Sequence, residues 1–219
     1  MKQLRINPRV ETGIEQYRQK LEVVEIATIG HYTEFGFMHP RIRKITPGKA
    51  KVFGPALTVR IPAQESKALH VAVSMAQKGD VLVIDRCGDE THACCGEMVA
   101  LCAKMRKVVA IVIDGPLTDL EAITSIGIPV FATGVSALTT KFVVDSGEIN
   151  DDISCGGVPV HPGDFVMADE NGVLVLRPFE AEGLIDEALA DQALEEKEHQ
   201  QVLGGKTLQQ IYVPECPVE

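Results

Sequence analysis

The run Val108-Val109-Ala110-Ile111-Val112-Ile113 constrains the fold more than any other stretch of the chain. Five of its six residues are β-branched, and no polar residue interrupts it. Such a run predicts a strand covered on both faces, as in a parallel sheet flanked by helices. It stops at Asp114-Gly115-Pro116, a turn signal. The residues before it, 98–106, place Met98, Leu101, Cys102 and Met105 at helical spacing and predict a helix with that face inward. Asp119 then falls just past the C-terminal end of a buried strand, where open α/β sheets put their ligands. Glu97 stands at the start of the preceding helix. Two carboxylates converging on such a turn suit a hard divalent cation and its bound water. The spacing is also met by a plainer account, in which each acid sits at a helix N-terminus favoured by the helix dipole.

The rest of the chain repeats the α/β theme. Residues 8–25 predict a helix through Val10, Ile14, Tyr17 and Leu21, and residues 26–35 a second one weakened by Gly30. Residues 51–61 alternate as a strand broken at Gly54-Pro55. An amphipathic helix over 66–77 leads through Gly79-Asp80 into a buried strand, 81–84. After Asp119 come a helix to Ile126 and a strand over 129–132. Residues 143–153 suggest a hairpin around Asn150-Asp151, and short strands flank His161-Pro162-Gly163-Asp164. Asp169-Glu170-Asn171-Gly172 marks a tight hairpin turn before the strand 173–176. From Phe179 the chain is helical and acidic, as far as Gly204-Gly205. No repeat or linker divides it, so residues 1–219 are expected to form one mixed α/β domain, with N-terminal helices and a C-terminal helical extension.

The 31 acids and 21 bases give a net charge of −10, which disfavours binding to nucleic acid or an anionic membrane surface. No stretch approaches the length of a membrane span, and the start Met1-Lys2-Gln3-Leu4-Arg5 has no apolar leader after it. The six cysteines show no CxxC pair or zinc-finger spacing, so reduced thiols in a cytoplasmic protein are expected. Cys94 and Cys95 adjoin the candidate site. A thiol nucleophile served by His92 is conceivable there; small residues packing at a helix start are the simpler account.

Six segments, in this order, carry a family resemblance: Pro40-Arg41-Ile42-Arg43, Gly54-Pro55-Ala56-Leu57-Thr58-Val59, Gly79-Asp80-Val81-Leu82-Val83-Ile84-Asp85, Asp114-Gly115-Pro116-Leu117-Thr118-Asp119, Gly127-Ile128-Pro129-Val130-Phe131-Ala132, and Pro162-Gly163-Asp164 with Ala168-Asp169-Glu170-Asn171-Gly172-Val173. The chain resembles the family of RraA, the regulator of ribonuclease E activity, and the 4-hydroxy-4-methyl-2-oxoglutarate aldolases. The resemblance spans roughly residues 24–176. It implies a three-layer α/β/β fold of the swivelling-domain type and homotrimers, often paired into hexamers, with sites between subunits. For catalytic members it implies class II pyruvate aldolase and oxaloacetate decarboxylase chemistry with Mg²⁺ or Mn²⁺.

The family pattern is an acid, twenty residues, then Arg-Asp. Glu97 falls on the acid that orients a water as proton donor, and Asp119 on the metal-binding aspartate. Gly96, Glu97, Met98 and Val99 fall on the helix N-terminus whose amides hold the substrate carboxylate. Thr118 replaces the arginine, which removes a fixed fork of donors and a permanent charge. Ala122 stands where many aldolases carry a further acid. Arg86 and Lys141 are candidate substitutes for the missing cation, against the ordinary expectation that each is a solvated surface charge. His31 and His92 are expected near the pocket or in solvent, with His92 the stronger candidate. Glu195, Glu196 and Glu198 form either a solvated face or a contribution to a neighbouring subunit's site, as a family glutamate does. The resulting expectation is a metal-dependent lyase acting on a small 2-oxo carboxylate. The alternative is a non-catalytic regulator that binds a ribonuclease or helicase. No glycine-rich strand–turn–helix loop supports a nucleotide-cofactor methyltransferase.

Overall fold

The computed structural model describes residues 3–48 and 51–216; the extreme ends of the single domain expected over 1–219 lie outside them. In chain order the elements are β1 (Gln3–Ile6), α1 (Ile14–Val23), α2 (Ile26–Ile29), β2 (Arg43–Lys44), β3 (Val52–Arg60), α3 (Lys67–Met75), β4 (Val81–Asp85), α4 (Glu97–Met105), β5 (Ala110–Ile113), β6 (Pro116–Leu117), α5 (Leu120–Ile126), β7 (Val130–Ala132), β8 (Gly134–Val135), β9 (Ser146–Ile149), β10 (Ile153–Cys155), β11 (Val158–Val160), β12 (Phe165–Ala168), β13 (Val173–Leu176), α6 (Pro178–Leu203) and α7 (Leu208–Tyr212).

The main sheet runs β1-β9-β3-β4-β5-β7-β2, and its centre, β3-β4-β5-β7, is parallel. The second half of β3 pairs with β4, while its first half pairs with β12, which turns back as β13 through the predicted hairpin. One long strand therefore belongs to two packed sheet lobes. Side-chain alternation sorts the interior into layers. Leu82, Ile84, Ile111 and Ile113 face α3, α4 and α5; Val81, Val83, Ala110 and Val112 face Val166, Ala168, Val173 and Val175. On the outer side of β12 and β13, Phe165, Met167, Leu174 and Leu176 pack under α1, α2 and α6. The α/β/β layering thus carries a fourth, helical cover made from the two ends of the chain.

Several local expectations are corrected. The strand does not break at Gly54-Pro55, because Gly54 lies over the Gly79 carbonyl, where a Cβ would sit 2.1 Å from the oxygen. Glycine is there for close approach, not for a turn. Residues 143–153 form no hairpin: β9 pairs with β1 and β3, and β10 pairs with β11. The second N-terminal helix shortens to Ile26–Ile29. In α4 the buried residues are Val99, Ala100 and Ala103, whereas Met98 and Met105 are each 73% exposed and Leu101 is 39% exposed. The apolar stripe at helical spacing is real but faces outward, because small residues pack closest to the sheet.

Candidate active site at the Glu97 helix N-terminus

Asp119 sits where the β5 turn leaves the sheet. Ile113 ends the strand, and β6 pairs with β8 in parallel. Leu117 bridges to Cys95, and the Thr118 amide donates to the Cys95 carbonyl at 2.9 Å. These contacts bring residues 22 apart in sequence together. The Asp119 backbone is left-handed, φ 53° and ψ 41°, a conformation that costs a non-glycine residue about 1 kcal/mol. Its side chain does not cap α5, the helix it precedes. It turns back, and Oδ2 accepts a hydrogen bond from the Glu97 amide at 3.0 Å. The plain helix-dipole account therefore fails for Asp119 and its own helix: the carboxylate serves the N-terminus of α4.

Gly96 makes that contact possible. A Cβ on Gly96 would stand 2.5 Å from Asp119 Oδ2 and 3.0 Å from Thr118 Cγ2. With the Glu97 amide bound to Asp119 and the Ala100 amide bound to the Gly96 carbonyl at 3.1 Å, the amides of Met98 and Val99 are left at the helix N-terminus as donors for an anion. The Thr118 hydroxyl reaches only Asp119 Oδ1, at 3.4 Å. Glu97 and Asp119 are exposed, and neither joins an ion pair among the described residues.

The two carboxylates line adjoining hollows. One, of about 250 Å³, is lined by Ala93, Cys94, Gly96, Glu97, Met98, Val99, Thr118 and Asp119 together with Ser66, His70, Thr139, Thr140, Lys141 and Phe142. The second, about 540 Å³, lies between Glu97, Asp119 and the start of α5, with Glu121 and Ala122 on its wall. The donor set fits a hard cation: Asp119 offers one carboxylate with Oδ2 tied down and Oδ1 held only by a long hydroxyl contact. A single protein carboxylate suits an ion that keeps most of its waters, as Mg²⁺ does.

The other candidates fall elsewhere. Arg86 is neither a surface charge nor a cleft cation. It is fully buried, and its guanidinium donates to the carbonyls of Ile61, Ala63 and His92 and to Asp89. His92 is held by Asp89 at 2.8 Å and does not line the cleft. Burial would raise the Asp89 carboxyl, but the amides of Thr91 and His92, the His92 ring and Arg86 outweigh it and hold it below its ordinary value. Cys94 and Cys95 are buried in the core beneath α4. Burial pushes the Cys94 thiol up to about 11 and Cys95 well above its ordinary value, so neither is a ready thiolate. Cys95 packs in the core, and Cys94 packs there while also lining the 250 Å³ hollow. His31, just after α2, does not line either hollow and bonds Asp191 of α6 at 2.9 Å, which raises its pKa; Glu195 of α6 completes this surface cluster. Glu198 accepts from the Tyr212 hydroxyl, and Glu196 from Gln200.

The sequence alone did not point to Ser66, His70, Thr139, Thr140 or Phe142. They come from the start of α3 and from the loop after β8, and no local spacing links those segments to residues 96–119.

Comparison with known proteins agrees with this fold. The RraA-like family model (Aldolase/RraA) matches residues 25–175, and the chain belongs to that family. A Halalkalibacterium halodurans protein named "Putative 4-hydroxy-4-methyl-2-oxoglutarate aldolase" is 37% identical over 146 residues, covering 67% of this chain and 69% of its own length. An uncharacterized protein of Methanocaldococcus jannaschii is 33% identical, covering 78% of this chain and 82% of its own. Among solved structures, Streptomyces coelicolor RraAS2, described as an unusual member of the RNase ES inhibitor RraA protein family, superposes with a TM-score of 0.76 at 26% identity, covering 87% of this chain and 98% of that one. No helix of the described residues is long and apolar enough to cross a membrane.

Proposed function

We propose that the protein is a divalent-metal-dependent carbon–carbon lyase acting on a small 2-oxo carboxylate, in the manner of the aldolase named for its Halalkalibacterium relative. One observation carries the reading: the Asp119 carboxylate is turned, at the cost of a left-handed backbone, onto a helix N-terminus that keeps two amides for an anion. A helix cap alone would not require Asp119 to leave its own helix uncapped.

In this reading Asp119 holds Mg²⁺ or Mn²⁺, largely through water. The cation, when bound, polarises the 2-oxo group and stabilises negative charge on its oxygen. The amides of Met98 and Val99 bind the substrate carboxylate, with the α4 dipole adding to them. Glu97 begins that helix beside Asp119 and orients the water that returns a proton to carbon after the bond breaks. Gly96 keeps the floor thin enough for Asp119 to reach the helix. The exposed Met98, Leu101 and Met105 stripe beside the cleft supports assembly into a homotrimer or hexamer through this face. The reaction and its soluble carboxylate substrate fit a cytoplasmic protein, and the charge of −10 argues against a nucleic-acid partner.

Thr118 favours a second reading, a regulator that binds a ribonuclease or helicase by protein contact, since such a role needs no arginine and no metal. Oxaloacetate decarboxylation by the purified protein separates the two. The lyase reading expects turnover that EDTA abolishes and Mg²⁺ restores; no turnover under saturating Mg²⁺ and oxaloacetate would contradict it.

A further inference from the structure

The lyase reading leaves one electrostatic gap. An anionic substrate enters a hollow whose charged walls include Glu97 and Asp119, and Thr118 offers a hydroxyl in place of a permanent charge. Among the described residues lining the 250 Å³ hollow, Lys141 is the one lysine or arginine. It lines the hollow together with the residues of the α4 N-terminus, and its ammonium enters no ion pair among the described residues.

The backbone around Lys141 is held more firmly than an exposed loop requires. Its amide donates to the Gln64 carbonyl at 2.7 Å, and its carbonyl accepts from the Ser66 hydroxyl at 3.2 Å. The preceding Thr140 amide donates to Ala93, whose segment leads into Gly96 and Glu97. The buried Glu65 carboxylate closes the strap. Its Oε1 accepts from the amides of Ser66 and Lys67, and its Oε2 from those of Val143 and Val144. Burial alone would raise the Glu65 carboxyl, and these amides reverse the effect and lower it. Phe142 lies against the His70 ring, with centroids 4.9 Å apart, and fills the wall beside Lys141. The loop is thus pinned on both sides of Lys141, with the Lys141 side chain left free at the hollow.

We infer that Lys141 is the anion-binding cation of this cleft, taking charge on the substrate that Thr118 does not. The inference rests on the lyase reading for its substrate class, but its geometry depends only on the cleft. A lysine ammonium is a point charge with rotatable donors, so it serves from a distance and direction that a guanidinium at position 118 would not share.

The test uses oxalate, a dianion that resembles the enolate of a 2-oxo carboxylate, on the full chain with Mn²⁺ present. Lys141→Met is expected to weaken oxalate binding by about tenfold or more, as for loss of a charge-assisted hydrogen bond, and Lys141→Arg to stay within about threefold of the parent. Binding of Mn²⁺ without oxalate should be unchanged in both, since Lys141 is not a metal ligand. Lys141→Met binding oxalate as tightly as the parent would overturn the inference, and so would a parent that does not bind oxalate. If the parent shows no turnover but Lys141→Met still loses oxalate, the lyase reading fails and the cation assignment stands.

Discussion

The cavity lined by Phe35 and Phe179 is larger than either hollow at Asp119, about 650 Å³. Size alone would make it the default ligand site. Its central charges, however, answer one another. His161 and Arg177 both reach the buried Asp164, and Glu180 caps the Arg177 amide within the turn that starts α6. At the smaller site Glu97 and Asp119 stay exposed, and among the described residues they have no ion pair and the Met98 and Val99 amides of α4 have no backbone partner. The difference teaches that the proposed site is marked by charge left unneutralised at the end of a buried strand, while the charges of the larger cavity tie β11, β13 and α6 together.

The sharpest way to break this comparison is Gly96→Ala. The new Cβ would meet Asp119 Oδ2 at 2.5 Å, and Asp119 must then leave the helix N-terminus. Turnover of oxaloacetate is expected to fall by roughly 10². Circular dichroism melting should show a loss of about 1–3 kcal/mol, the usual range for overpacking. Unchanged kinetics would mean that the Asp119–Glu97 contact is not part of the site.

Thr118→Arg sharpens the comparison from the other side. It restores the family's acid–twenty residues–Arg-Asp pattern next to the free carboxylates. A gain of about tenfold in kcat/KM at saturating Mg²⁺ is expected, a modest share of what an electrostatic stabiliser supplies. A folded variant with no gain would show that the cleft has diverged beyond this residue.

Arg177→Ala probes the larger cavity and should do least. Turnover is expected within about twofold of the parent and the stability loss within about 1 kcal/mol, since Arg177 is partly exposed. A tenfold loss of turnover would move the chemistry to the wrong cavity.

Much of the fold was legible in the sequence because burial on both faces leaves an uninterrupted apolar run. β4 and β5 announced themselves this way, and so did the hairpin at Asp169-Glu170-Asn171-Gly172. The outward stripe of α4 was misread because periodicity gives a face and not its direction; Val99, Ala100 and Ala103 pack inward because small side chains let the helix sit close to the sheet. The hairpin expected around Asn150 failed because β9 finds its partners far away in sequence, in β1 and β3, while β10 turns at Gly156-Gly157 and pairs with β11, the next strand. Half of the site was local and readable: Gly96, Glu97, Thr118 and Asp119 lie on one helix–strand unit. Of the remaining lining, Lys141 was named as a candidate cation, but Ser66, His70 and Phe142 were not, because long-range pairing alone brings residues 64–70 and 139–142 to the hollow. Arg86 shows the same limit. Nothing local says that a loop arginine will be buried among carbonyls.

The central claim is that Asp119 is the metal-holding carboxylate. Titration of Mn²⁺ followed by the electron paramagnetic resonance of the free ion tests it on the parent, Asp119→Ala and His31→Ala, the last covering the exposed His31–Asp191–Glu195 cluster. The expected result is a site in the parent that survives in His31→Ala and weakens by about 10² or more in Asp119→Ala, comparable to losing a group that orients a metal. Equal Mn²⁺ affinity in Asp119→Ala and the parent would contradict the account.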